Sequence, residues 1–193
     1  MITNVSNRTQ PSKEWITLAL LQLMEKTQYS HISITEITRK AGLARQTFYR
    51  NYEDKDDILY EYLCDQYATY WRIIDEQNDL HEDMLVAFFD MWQQHTPPSL
   101  LENIWNGDRK VRQIIFRSVD FSIQERFPNR ANPENAHHQE NLHYYAQRSM
   151  SSTFHVILIE WTLRRFRESC DEMGRLAYRL TSSMRDLLSS KSF

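Results

Sequence analysis

The sequence predicts an all-α protein, and three observations carry that prediction. Apolar residues recur at three- and four-residue spacing along most of the chain. No stretch alternates with a period of two between turn residues, as a strand would. Only three glycines and five prolines punctuate 193 residues, and Pro11, Pro97, Pro98, Pro128 and Pro133 read as falling between periodic segments.

The expected elements follow in order. A first helix runs from about Ser12 to Lys26, with Ile16, Ala19, Leu20, Leu23 and Met24 on one stripe. Ser33-Ile34-Thr35-Glu36 has the form of a capping box and starts a second helix, whose inward positions are Ile34, Ile37 and Ala41. Gly42 ends that helix, because a left-handed backbone is cheap for glycine alone. A third helix, about Arg45–Asn51, buries Phe48, sends Tyr52 into the same core and turns Arg45, Gln46, Thr47, Tyr49 and Arg50 outward. A long helix starts near Asp54. Helices at about Leu80–His95, Ser99–Asn106 and Asp108–Phe127 come next, then a polar loop at Asn129–Gln139. Two long helices, about Glu140–Arg167 and Cys170–Ser189, close the chain, with Ser169-Cys170-Asp171-Glu172 as a second capping box between them.

Composition narrows the function classes. A mean hydropathy of −0.65 and the lack of any apolar run of ~18–20 residues argue against a membrane span. The expected location is the cytoplasm. Cys64 and Cys170 lie far apart without a partner motif, so reduced thiols are expected. His137, His138 and His143 lack accompanying ligand spacing and read as solvated, so no metal or other cofactor is expected. There is no GxSxG, P-loop or glycine-rich nucleotide turn, and an enzyme is not expected. Charge is unevenly spread. Residues 1–52 hold seven Lys/Arg against three acidic residues, a net of +4, while the remainder holds 16 against 23, a net of −7. A basic head on an acidic body suits a chain of which one end meets phosphates.

Two short helices around a glycine turn, the second rich in Arg, Gln and Thr, form a helix-turn-helix pattern. Arg and Gln offer paired hydrogen-bonding groups that match base edges in the major groove. At Ser33, Ile34, Ile37, Ala41, Gly42, Leu43, Thr47, Phe48, Tyr49, Tyr52, Lys55 and Leu59 the chain resembles the N-terminal pattern of the TetR/AcrR class of bacterial regulators. The resemblance covers about residues 12–62. Three departures stand out: Ala44 where Ser is preferred at the helix N-cap, Thr38 where Ala is usual, and Gln28 where Gly is usual.

The resemblance implies a three-helix DNA-binding domain over 1–53. A helical dimerisation and effector-binding domain over 54–193 would bring the total to about nine helices. It implies phosphate contacts from Tyr49 and Lys55, base reading by Arg45 and Gln46, and a DNA-contacting set completed by Ser33, Thr35, Thr47 and Arg50. It implies a homodimer through the last two helices, for which Phe154, Ile157, Trp161, Leu176, Leu180, Met184 and Leu187 are the candidates. A small apolar or aromatic effector would sit among Trp71, Phe88, Trp92, Trp105, Phe116 and Tyr145. The function implied is a repressor of a palindromic operator, released by that effector. The alternative is a DNA-binding protein whose body takes a protein partner.

Overall fold

A computed structural model describes residues 6–74, 80–128 and 136–189. Among these residues there are ten α-helices and no strand: α1 (Ser6–Met24), α2 (Ile34–Ala41), α3 (Arg45–Tyr49), α4 (Lys55–Ile74), α5 (Glu82–His95), α6 (Pro98–Trp105), α7 (Arg109–Arg126), α8 (Ala136–Leu163), α9 (Cys170–Leu180) and α10 (Ser182–Ser189). A one-turn 3₁₀ helix, Tyr29–His31, links α1 to α2. No described helix is long and apolar enough to cross a membrane.

Several boundaries differ from the sequence reading, among them the start of α8 at Ala136, inside the loop expected over Asn129–Gln139. Pro11 lies inside α1, in its second turn, where a missing N–H forfeits one bond only. The last helix breaks at Thr181, whose hydroxyl donates to the Ala177 carbonyl at 2.8 Å and so competes with the backbone ladder. Part of the expected polar loop, 129–135, and the side chains of His137 and His138 lie outside the described residues.

The chain forms two compact units. One comprises Met1–Leu63 with Pro97–Ile114, and the other Cys64–Thr96 with Ile115–Phe193. The first therefore takes in α6 and the start of α7 besides the expected 1–53. Its core is Ile16, Ala19, Leu20 and Met24 of α1, Ile37 of α2, Phe48 of α3, Ile58 and Leu59 of α4, and Leu100 and Ile104 of α6. The apolar stripe read for α1 is the face turned inward.

In the second unit, α5 and α9 pack together around Gly174, where an added Cβ would stand 2.6 Å from the Val86 backbone nitrogen. Only glycine lets two helices approach this closely. Met173 and Ala177 share that buried face. The α8 row Ala146, Met150, Phe154, Ile157 and Trp161 is buried as well, so Phe154, Ile157 and Trp161 belong to the chain's own core and not to an outer contact face. A helix apolar on two sides gives no sequence signal of which side faces inward.

α8 ends in a Schellman turn. Phe166 N–H donates to the Trp161 carbonyl and Arg165 N–H to that of Thr162, both at 3.0 Å, and the Phe166 and Trp161 rings meet at 4.7 Å. Arg165 takes the left-handed position, at φ 58°, where glycine is the usual choice.

Candidate nucleic-acid interface

The head is assembled by short-range bonds. Ser33 caps α2: its hydroxyl accepts from the Glu36 N–H at 3.3 Å, while its own N–H and hydroxyl donate to the Glu36 carboxylate at 2.8 and 2.7 Å. Those bonds hold the Glu36 carboxyl below its ordinary pKa. They also commit the Ser33 hydroxyl to the cap.

At the other end Gly42 adopts φ 67°, ψ 29°. Its N–H donates to Arg39 (3.2 Å) and that of Leu43 to Thr38 (2.9 Å), a second Schellman turn. α3 then begins on Ala44, which supplies no side-chain cap. This single turn and a half is anchored by Phe48, which is fully buried.

Around that anchor most of the other side chains of α3 face out, while Thr47 is half-buried. Arg45, Gln46 and Arg50 are exposed, as is Tyr49 at 51%. Arg45 Nη2 donates to Tyr49 Oη at 3.0 Å, and Arg50 Nη2 to Thr47 Oγ1 at 3.2 Å. Each of these guanidinium groups is thus braced by a neighbour on its own turn, Arg45 by the Tyr49 phenol and Arg50 by Thr47. Thr35 is exposed on the first turn of α2, and Arg39 and Lys40 are exposed on its last turn. The sequence reading left those two cations out of the site, although their place next to Gly42 was visible.

Lys55 departs from its expected role. Its ammonium donates to the carbonyls of Tyr29, Ser30 and Ile32 at 2.9, 3.3 and 2.7 Å and lies 4.8 Å from the Tyr29 ring centroid. Three donors meet three carbonyls, which leaves none for a phosphate. Burial lowers its pKa against the pull of Asp56 and Asp54.

The 3₁₀ turn is held at its amide end too. Tyr29 N–H donates to Asn103 Oδ1 at 2.6 Å, and Ser30 N–H to Asp108 Oδ2 at 2.9 Å. The Ser30 hydroxyl adds a bond to the same oxygen at 2.7 Å. Asn103 and Asp108 flank a third Schellman turn, closed by Gly107 at φ 78°. Asp108 Oδ1 also accepts the Lys110 and Val111 N–H groups at 3.0 and 3.2 Å, capping α7. Burial alone would raise the Asp108 pKa, but bonds from the Ser30 hydroxyl and amide and from the two α7 amides outweigh it, and the net shift is downward. Tyr29 is fully buried and donates from its hydroxyl to Asp56 at 2.7 Å. Its pKa is raised by burial first and by Asp56 second. Only the Asn-Gly-Asp run at 106–108 marked this corner in the sequence, and it read as a plain helix break.

In the second unit a cavity of about 280 Å³ is lined by Cys64, Ala68, Trp71, Phe121, Ser122, Glu125 and Arg126. An apolar void of about 20 Å³ lies among Tyr67, Trp71, Leu85, Phe88, Val119, Ser122, Ile123 and Phe154. Of the predicted effector residues, Trp71 lines both and Phe88 the smaller. Trp92 is buried, donating to Thr162 Oγ1 at 3.0 Å. Phe116 packs on His155, and Tyr145 is 65% exposed beside Tyr144. Trp105 belongs to the first unit. These four lie off both cavities because aromatic spacing marks an amphipathic helix without saying what it faces. His143 bonds the Phe127 carbonyl at 3.0 Å, and Cys64 and Cys170 form no disulfide.

Leu176 (44% exposed) and Leu180 (52%) on α9 and Leu187 (44%) on α10 are exposed, as is Val156 on α8, and Met184 is half-buried.

Comparison with known proteins places these features. No protein-family model matches the chain. A stretch of 56 residues, 28% of the chain, is 36% identical to an uncharacterised HTH-type transcriptional regulator of Bacillus subtilis strain 168, and spans 15% of that protein. Three solved structures are similar over most of their length. They are a TetR transcriptional regulator from Streptococcus agalactiae (TM-score 0.56, 19% identity, 91% of this chain and 96% of that one), another from Rhodococcus sp. RHA1 (0.54, 14%, 93% and 98%), and the TetR-family repressor AlkX from Dietzia sp., implicated in biodegradation of n-alkanes (0.51, 13%, 92% and 97%).

Proposed function

We propose that this chain, which has the fold of the TetR-family regulators, is a sequence-specific DNA-binding transcription regulator that reads a palindromic operator as a homodimer. The observation that carries the reading is the outer face of α3. Arg45, Gln46, Thr47, Tyr49 and Arg50 project from a helix seated on Phe48, within a basic head. Arg and Gln match guanine and adenine edges. Tyr49, Arg50 and the two cations closing α2, Arg39 and Lys40, take phosphates.

The homodimer is supported by Leu176 and Leu180 on the outer side of α9 and by Leu187 on α10, exposed leucines that need cover from water. Two heads placed ~34–36 Å apart would then meet successive major grooves. Binding represses, the sense that the Dietzia protein of this fold carries in its name, and a small effector lifts it. The effector's seat is the 280 Å³ cavity, whose Trp71 and Phe121 offer aromatic walls and whose Glu125 and Arg126 offer charge. That volume sits just below the ~300–1,000 Å³ of common ligand pockets.

A gel shift against DNA flanking the gene tests the reading. The expected result is a retarded complex with a palindromic site. Arg45→Ala should weaken it by ~1–3 kcal/mol per half-site and relax choice at one base pair. Equal binding to every duplex at moderate salt would refute sequence-specific reading.

A further inference from the structure

The α2–turn–α3 segment is closed at its neck. The chain enters it through Tyr29–Ile32 and leaves it at Lys55, and the Lys55 ammonium ties exit to entry through the Tyr29, Ser30 and Ile32 carbonyls. The neck is fastened on its opposite, amide side by Asn103 and Asp108. Asn103 is itself fixed, since its Nδ2 donates to the Ser99 carbonyl at 2.8 Å and the Met24 carbonyl at 3.3 Å. Asp108 is fixed by capping α7.

We infer that Asn103, Asp108 and Lys55 are positioning residues for operator recognition, which aim α3 without touching DNA. The inference rests on the DNA-binding reading above. Two physical facts support it. Apolar contacts such as those of Ile37 and Phe48 are non-directional and tolerate sliding, whereas hydrogen bonds lose strength steeply off axis. The orientation of the reading segment against α1 and α6 therefore depends on the few directional bonds it makes outside itself, and those at the neck join the side chains of Lys55, Asn103 and Asp108 to its backbone. Base recognition depends on placement to within a fraction of an ångström, whereas phosphate attraction acts over a Debye length. A loosened neck is thus expected to cost sequence choice before it costs charge attraction.

The test compares full-length wild type, Asp108→Ala and Lys55→Gln on two probes: a duplex selected by the wild-type protein from random-sequence DNA, and poly(dI-dC). Folded fraction is followed by circular dichroism, and active fraction by stoichiometric titration. The expected outcome is a loss of about tenfold or more in affinity for the selected duplex, as for one base contact. Affinity for poly(dI-dC) stays within about twofold, and the salt dependence of binding is unchanged. Asn103→Gln, which keeps both an amide acceptor for Tyr29 N–H and an amide donor, should retain more specificity than Asn103→Leu. An unchanged ratio of the two affinities, whether both hold or both fall together, would overturn the inference, as would a shallower salt slope in Lys55→Gln. Should Asp108→Ala not fold, Lys55→Gln and the Asn103 pair decide it. A wild-type protein that selects no sequence would instead overturn the DNA-binding reading, and this inference with it.

Discussion

Replacing Gly42 with alanine isolates the backbone cost of the turn between α2 and α3. Gly42 sits at φ 67°, ψ 29°, and a Cβ built there meets nothing within 4 Å. No steric contact has to give, and the penalty is conformational alone. A left-handed L-residue costs about 1–2 kcal/mol. Alanine's smaller unfolded ensemble offsets about 0.4–1 kcal/mol of that, leaving a net loss near 1 kcal/mol. In urea, with a slope of about 2 kcal/mol/M, the midpoint for the head should fall by roughly 0.5 M. Gly42→Asn, whose side chain tolerates this region, should lose less than half as much. Equilibrium denaturation of the three proteins measures both. An unmoved midpoint would mean the corner is not left-handed. A loss above about 3 kcal/mol would mean a close contact that the geometry lacks.

Three further outcomes are expected. Arg165→Gly should stabilise the second unit by about 0.5 kcal/mol, read as a raised thermal midpoint, because the left-handed position closing α8 then carries no Cβ. Asp108 contributes stability that is complete above the ordinary aspartate pKa of 3.8 and is lost as pH falls through its lower folded value; acid titration of unfolding should show this limb, and Asp108→Asn should flatten it. Leu176→Glu with Leu180→Glu should move the mass found by light scattering from twice 23.3 kDa to 23.3 kDa, and an unchanged mass would place the dimer elsewhere.

What the sequence disclosed about this molecule is mostly what is local. The Ser33–Glu36 box, the Gly42 turn, the missing cap at Ala44 and the inward Phe48 depend on partners within about four residues, and each was legible. The role of Lys55 was not, since its carbonyl partners stand 23 to 26 positions earlier in the chain. Asn103 and Asp108 reach back further still, across 74 and 78 positions. Direction was the other missing quantity. Periodicity found the apolar rows of α8 and α9 but could not assign Phe154, Ile157 and Trp161 to the inside or Leu176 and Leu180 to the outside, because a stripe looks alike from either side. Likewise, Trp105 counted as a body aromatic until α6 took its place in the first unit.

Gly174 carries a consequence for how defects in assembly would arise. It lies inside the α5–α9 seam, yet its neighbours two and six positions on, Leu176 and Leu180, point the opposite way. A single methyl at Gly174 would push α9 off Val86 and swing that outer row with it. A screen for variants that lose the proposed homodimer should therefore return this interior position alongside the surface leucines. The tolerance of the outside of this helix is set by the absence of one carbon on its inside.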